Sequence, residues 1–337
     1  MAPRAFRGRV AGGLYHHRVE VDRRQIEAAA AELVDGSVVA FPTETVYGLA
    51  AVATNAAAVA KVFALKGRPA QNPLIVHVAD EAMARSVAGG WPEVAAQLAR
   101  AFWPGPLSIV VPKGDSIPDI VTGGGPTVCV RCPDHPVALA LIKAVGVGLV
   151  GPSANRSGGV SPTAAEHVQS AFPGLLVLDG GACRVGIEST VVRVSESQLE
   201  ILRPGVIGAA ELEAMAGVCV TGPVERAERG PMASPGLMTR HYAPGTPTSV
   251  VSSVDGLNVE DAVVLAQGLA GGQVLAAGGV IEMPGDAEGY AAALYDALRR
   301  ADAMGLGRII IVSPTGTGGR AVWEAIADRL RRACADG

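Results

Sequence analysis

Lysine is scarce in this sequence: Lys61, Lys66, Lys113 and Lys143 are its only copies, and arginine supplies the rest of the positive charge. Together with the abundance of alanine and glycine, that bias fits a GC-rich genome and carries no function. The formal net charge is −4, so no global field draws the chain to nucleic acid, although local basic clusters remain able to meet phosphate. Aromatic residues make up 4% and charged residues 18%, against 49% hydrophobic, a composition that packs rather than one that stays disordered. A membrane-spanning run is missing, because the longest apolar stretch, Val137 to Val150, is broken by Lys143 and by glycines. Met1 to Arg9 is basic but lacks the apolar centre of a secretory signal, so the expected location is the cytoplasm. There is no Gly-x-Gly-x-x-Gly after a strand, and no second Cys-x-x-Cys to complete a zinc site around Cys129 and Cys132. Alternation along a strand sends those two sulfurs to opposite faces, so they read as packed, reduced thiols.

What is present is the rhythm of an α/β fold on a chain of 337 residues, long enough for two cores. Strands are predicted at Val38–Phe41, Leu74–Val78, Leu107–Val111, Thr127–Arg131, Leu149–Gly151, Leu175–Leu178, Thr190–Val194 and Leu199–Leu202. The last two flank a short polar turn and read as an antiparallel hairpin, which makes the sheet mixed. Helices are predicted at Ala57–Leu65, Pro92–Phe102, Pro136–Val145 and Thr163–Ala171. From Gly217 to Pro247 the composition turns to proline, glycine and charge with no hydrophobic period, the mark of a linker. Beyond it, Ala262–Ala266, Gln273–Leu275 and Arg308–Val312 look like buried strands. Tyr290, Leu294, Leu298 and Ala301, and again Val322, Ile326 and Leu330, lie near helical spacing. The expected organisation is an extension over 1–20, a catalytic domain of twisted mixed sheet over 21–217, a linker or lid over 218–247, and a small Rossmann-like α/β domain over 248–337. The Thr315-Gly-Thr-Gly-Gly319 turn reads as a turn rather than an anion site.

The polar residues gather in turns after strands, where open α/β sheets bind ligands. Phe41-Pro-Thr-Glu-Thr-Val-Tyr-Gly-Leu49 offers hydroxyls to a small polar ligand, or is simply a well-bonded loop. Lys66-Gly-Arg-Pro-Ala-Gln-Asn-Pro-Leu74 sets two cations on one tight turn, an arrangement that favours an oligophosphate between them. Arg131 ends an otherwise apolar strand and needs an anion. A substrate carboxylate would serve, and Asp134 is the nearest candidate for a structural ion pair. Gly151-Pro-Ser-Ala-Asn-Arg-Ser-Gly-Gly159, followed by Ser161-Pro-Thr163, has the small residues of a phosphate cradle but not the Gly-Lys-Ser/Thr of a Walker loop. Gly186-Ile-Glu-Ser-Thr190 and Arg203-Pro-Gly205 bring Thr190 and Arg203 toward one sheet end.

In this order, and with Trp103-Pro-Gly-Pro-Leu107 and Leu202-Arg-Pro-Gly205, these segments strongly resemble the YrdC-like threonylcarbamoyl-AMP synthases. The resemblance runs from about Val21 to Gly217 and resumes at Ser234-Pro-Gly-Leu-Met-Thr-Arg-His-Tyr-Ala-Pro244, which is similar to the long, two-domain form. It implies an enzyme that makes L-threonylcarbamoyl-AMP and pyrophosphate from L-threonine, bicarbonate or CO₂, and ATP with Mg²⁺. Other proteins then transfer the threonylcarbamoyl group to tRNA. Carried over by motif, Lys66, Arg68, Ser153 and Asn155 serve catalysis and the nucleotide, joined by Ser161, Arg203 and Tyr242. Thr43, His77, Thr127, Arg131 and Thr190 form the threonine pocket, and no protein ligand for the metal is implied.

Some residues depart from the family pattern: Cys132 stands where methionine is usual, Gly151 where alanine is common, and Leu237-Met-Thr239 in place of a more basic, aromatic stretch. Two rival classes share the domain, an RNA-binding module and a carbamoyl-transfer enzyme. The net charge weighs against the first while leaving room for a weak tRNA contact. The length leaves no room for the additional domain of the second. The linker is expected to close over the nucleotide with Tyr242 near the adenylate, the alternative being that Tyr242 packs between the domains.

Overall fold

In a computed structural model of the chain, the described residues are 22–195, 198–222, 241–268 and 277–335. The first part carries α1 (Arg23–Val34), β1 (Val39–Phe41), β2 (Gly48–Val52), α2 (Ala56–Lys66), β3 (Ile75–His77), α3 (Glu81–Val87), α4 (Glu93–Phe102) and β4 (Leu107–Pro112). It continues through α5 (Asp119–Thr122), β5 (Thr127–Arg131), α6 (Pro136–Val145), β6 (Leu149–Val150), α7 (Ala165–Ala171), β7 (Thr190–Val194), β8 (Gln198–Arg203), α8 (Ala209–Ala216) and β9 (Cys219–Thr221). The second part holds β10 (Thr248–Val251), β11 (Ala262–Gln267), β12 (Gly279–Met283), α9 (Ala287–Ala303), β13 (Arg308–Val312) and α10 (Arg320–Ala333).

The large sheet runs β1-β2-β6-β3-β5-β4-β7-β8-β9 and is mixed: β3/β5, β4/β7 and β8/β9 are parallel, the other neighbours antiparallel. The small sheet, β10-β13-β11-β12, is wholly parallel. The expected fold class, a twisted mixed sheet with a smaller Rossmann-like α/β domain, is therefore what the chain adopts. Alternation in β1 and β2 splits the large domain into two cores. Ala40, Leu49 and Ala51 face the layer of α2 and α4, while Val39, Phe41 and Ala50 face α1 and α6. The apolar core of α9 and α10 does not stop at the small domain but continues through Tyr242 to Val46, Val160 and Ile187 of the large one.

Several elements differ from expectation. Leu175–Leu178 is no strand; Val177 makes a single bridge to Ala40, and the segment merely flanks β1. Strand β2 was not expected because Gly48-Leu-Ala-Ala-Val52 is small and poor in β-branched residues, yet it closes a hairpin on β1. Helix α1 was also unassigned, although Asp22 caps it and Ile26, Ala29, Ala30 and Leu33 bury one face. The large sheet extends past Gly217 to β9, and residues 223–240 of the expected linker, like the expected strand Gln273–Leu275, lie outside the described residues.

Candidate active site

The hairpin of β1 and β2 turns the polar segment 42–47 over the ends of β3 and β5. Thr43 Oγ1 donates to the Val46 carbonyl at 2.7 Å and accepts the amides of Thr45 and Val46, each at 3.2 Å. The loop is thus tied to itself, and the hydroxyls it presents are fixed before any ligand arrives. Beneath it, β3 and β5 pair in parallel with His77 opposite Arg131. The His77 ring meets Phe41 edge-on at 5.6 Å, and its Nδ1 has no protein partner. A Cβ on Gly151 would stand 2.5 Å from that Nδ1, so glycine there lets the ring keep its place. Burial, helped by the nearby Arg131 charge, pushes the His77 pKa down to about 3, so the ring is neutral at any working pH.

Arg131 is 3% exposed. Its Nε donates to the Gly105 carbonyl at 3.2 Å and one terminal nitrogen to Thr45 Oγ1 at 2.9 Å. The other terminal nitrogen lies 2.7 Å from Glu44, angled as an ion pair rather than a hydrogen bond, and both Glu44 oxygens lack a protein donor. The expected partner Asp134 is instead paired with Arg184 at the surface. The pairing with Glu44 was not readable from sequence because it forms across the hairpin rather than along the strand.

Arg68 donates to the Asn72 and Pro73 carbonyls at 3.1 and 2.8 Å and to the Asn72 side chain at 2.6 Å. Lys66, 2% exposed, donates from Nζ to the carbonyls of Ser153 (2.5 Å) and Asn155 (2.6 Å), bracing the turn after β6. Burial, with the adjacent Arg68 charge, pushes the Lys66 pKa well below the usual lysine range. Arg203 donates to the Ser189 carbonyl at 3.1 and 3.0 Å. Thr190 Oγ1 donates to the Ile207 carbonyl at 2.9 Å and braces the turn that follows Arg203.

One open cavity brings together Thr43, Arg68, His77, Arg131, Ser153, Arg203 and Tyr242 of the expected residues. Lys66, Asn155 and Thr190 stand behind its wall, and Ser161 donates its hydroxyl to Glu188 at 2.7 Å. Thr127 does not reach the cavity: it opens β5 and Arg131 ends it, which places them about 13 Å apart at the rise of a strand. The cavity also takes in Thr45, Glu188 and His241, which the sequence reading passed over. Each lies within two residues of a chosen one, so proximity in the motif was the available signal.

Tyr242 packs between the domains, the alternative expected of it, and also lines the cavity. Its backbone is left-handed, φ 64°, and its ring stacks on Tyr295 of α9 at 5.6 Å. Burial, helped by His241's cationic neighbours, pushes the His241 pKa down to about 3. Among the described residues no group of three or more His, Cys, Asp or Glu can hold a metal, and no helix is long and apolar enough to cross a membrane.

The family model Sua5/YciO/YrdC, described as "Telomere recombination", matches residues 31–205, and the model "Threonylcarbamoyl-AMP synthase, C-terminal domain" matches residues 207–335. A threonylcarbamoyl-AMP synthase of Pyrococcus abyssi is 38% identical over 328 residues, covering 94% of this chain and 96% of that one. One of Bacillus subtilis is 40% identical over 327 residues, covering 92% of each. The crystal structure of P. abyssi Sua5 complexed with L-threonine superposes with a TM-score of 0.84 at 36% identity, over 94% of this chain and 95% of that one.

Proposed function

The chain belongs to the threonylcarbamoyl-AMP synthase family in its two-domain form, and on that footing we propose that its cavity joins L-threonine, bicarbonate or CO₂, and ATP into L-threonylcarbamoyl-AMP. The observation that carries this reading is the gathering of three arginines, Arg68, Arg131 and Arg203, around one cavity. Two anions, an amino-acid carboxylate and a triphosphate, call for such a set of cations.

The chemistry needs positioning more than a reactive side chain. The threonine ammonium gives one proton to solvent, the free amine adds to CO₂, and a second proton leaves the nitrogen to give a carbamate. A carbamate oxygen then attacks the α-phosphorus of ATP; the new P–O bond forms as the α–β bridge bond breaks, and pyrophosphate leaves. The nucleophile is already anionic, so the protein's part is to hold two anions in line and offset the charge that develops. Arg131 grips the threonine carboxylate through its remaining N–H groups, with Thr45 and Glu44 fixing its plane. Neutral His77, with a free acceptor nitrogen, suits the threonine hydroxyl or amine. Arg68 and Arg203 face the phosphates, and Lys66 holds the Ser153–Asn155 turn against them. Mg²⁺ would enter with ATP, and phosphates and water would hold it. The linker expected to close over the adenylate falls largely on residues 223–240, outside the described ones. The product then passes to proteins that transfer the threonylcarbamoyl group to tRNA.

The test is pyrophosphate release from ATP with each amino acid in turn. Release is expected with threonine and only when bicarbonate is present. Equal release with serine, or without bicarbonate, refutes the reading.

A further inference from the structure

Glu188 is out of place in its surroundings. Arg68, Arg131 and Arg203 line the cavity, yet this carboxylate lines it too. A bare carboxylate beside a triphosphate repels it, and a buried one also carries a desolvation cost. Three donors meet Glu188: the Ser161 hydroxyl at 2.7 Å, the Tyr295 hydroxyl at 2.9 Å and Arg329 Nε at 3.1 Å. Two of the three come from the C-terminal domain, on α9 and α10. Arg329 is fully buried and also donates to the Glu188 carbonyl at 3.2 Å and the Pro204 carbonyl at 2.5 Å. Its guanidinium carbon lies 5.7 Å from the centre of the Tyr242 ring, the other side chain that both domains share. Burial by itself would raise the Glu188 pKa, but Arg329, then Arg203 and the Ser161 hydroxyl, hold it below the usual carboxylate range.

An apolar pair would dock two domains as well as this ion pair does, because desolvation offsets most of what a buried pair gains. Its placement at the cavity wall is therefore the informative fact. We propose that Arg329 is a positioning residue of the active site: it neutralises Glu188 and holds Glu188 and Tyr242 as walls of the nucleotide cavity, so that the C-terminal domain completes the site. Without Arg329, Glu188 would turn its charge on the phosphates or draw Arg203 away from them.

The proposal rests on the reading that the cavity binds ATP, and the experiment separates the two. Binding of a non-hydrolysable ATP analogue is measured by calorimetry on the full chain, with thermal unfolding as a check on folding. Arg329→Met should weaken binding about tenfold or more, the size of one uncompensated charge near the phosphates. Arg329→Lys, which keeps the charge but not the planar fork, should lose clearly less affinity than Arg329→Met. Adding Glu188→Gln to Arg329→Met should restore binding to within about threefold, because the charge to be neutralised is gone. Unchanged binding in folded Arg329→Met overturns the proposal, and so does a double variant as weak as the single one, since Arg329 would then only dock the domain. If Arg329→Met does not fold, Tyr295→Phe makes the comparison at about threefold amplitude, and an unchanged affinity there overturns it equally. A wild type that does not bind the analogue fails the nucleotide reading itself, and this proposal with it.

Discussion

Arg131→Lys isolates the threonine subsite better than any truncation. Arg131→Ala would leave Glu44, 1% exposed, as an unpaired buried carboxylate, and removing one partner of such a pair costs about 3–5 kcal/mol of stability. A loss of activity would then be uninformative. Lysine keeps a positive charge within reach of Glu44 but has no planar fork. It gives up the bonds to the Gly105 carbonyl and Thr45 Oγ1, at about 1 kcal/mol each in stability, so the protein should still fold. It also gives up two-point recognition of a carboxylate, worth about 1.5–3 kcal/mol, or roughly 10- to 150-fold in affinity. The expected result is a threonine KM raised by that factor, with the KM for ATP moved less than about threefold, because Arg68 and Arg203 remain to meet the phosphates. Steady-state pyrophosphate release with each substrate varied in turn gives both constants. A threonine KM equal to wild type would mean that Arg131 serves only Glu44 and the loop, and the carboxylate seat would have to lie elsewhere.

Two further predictions concern the frame around the site. His77 and His241 titrate near 3 when folded and near 6.5 when unfolded, so the unfolded chain binds more protons between those values. Stability therefore rises with pH across that window and is lost as pH falls below about 6.5, by about 2 kcal/mol per histidine at pH 5. Urea unfolding at pH 7 and pH 5 should show this, with a shallower dependence in His241→Gln; equal slopes would contradict it. Gly186 has φ 78°, and a Cβ there would stand 2.4 Å from the Ala291 carbonyl and the Ala292 Cα of α9. Gly186→Ala should therefore push the domains apart and lower the unfolding free energy by about 2 kcal/mol or more, and an unchanged melting temperature would refute that contact.

Much of the cavity could be read before any coordinates, and the reason is local. Arg131 at a strand end, Lys66 and Arg68 on one turn, and Ser153 in a small-residue loop are each flagged by type and position alone. What escaped lies across the sheet or between domains. Glu44 finds Arg131 only because the hairpin folds back, and Glu188 finds Arg329 from 141 residues away. Periodicity carries no trace of such pairings. Thr127 misled for the opposite reason: alternation correctly puts it on the face of Arg131 but says nothing of how far along the strand a ligand extends. Helix α1 and strand β2 were missed because their alanine-rich, short elements lie close to the threshold of pattern reading.

The most direct test of the central claim is to follow the atoms. Wild-type protein would be incubated with ATP, L-threonine and isotopically labelled bicarbonate, and the nucleotide products resolved by mass spectrometry. A single adenylate bearing both the threonine mass and the bicarbonate label, formed in step with pyrophosphate, is the expected result. An adenylate lacking the label, or pyrophosphate accompanied only by free AMP without any dependence on threonine, would contradict it.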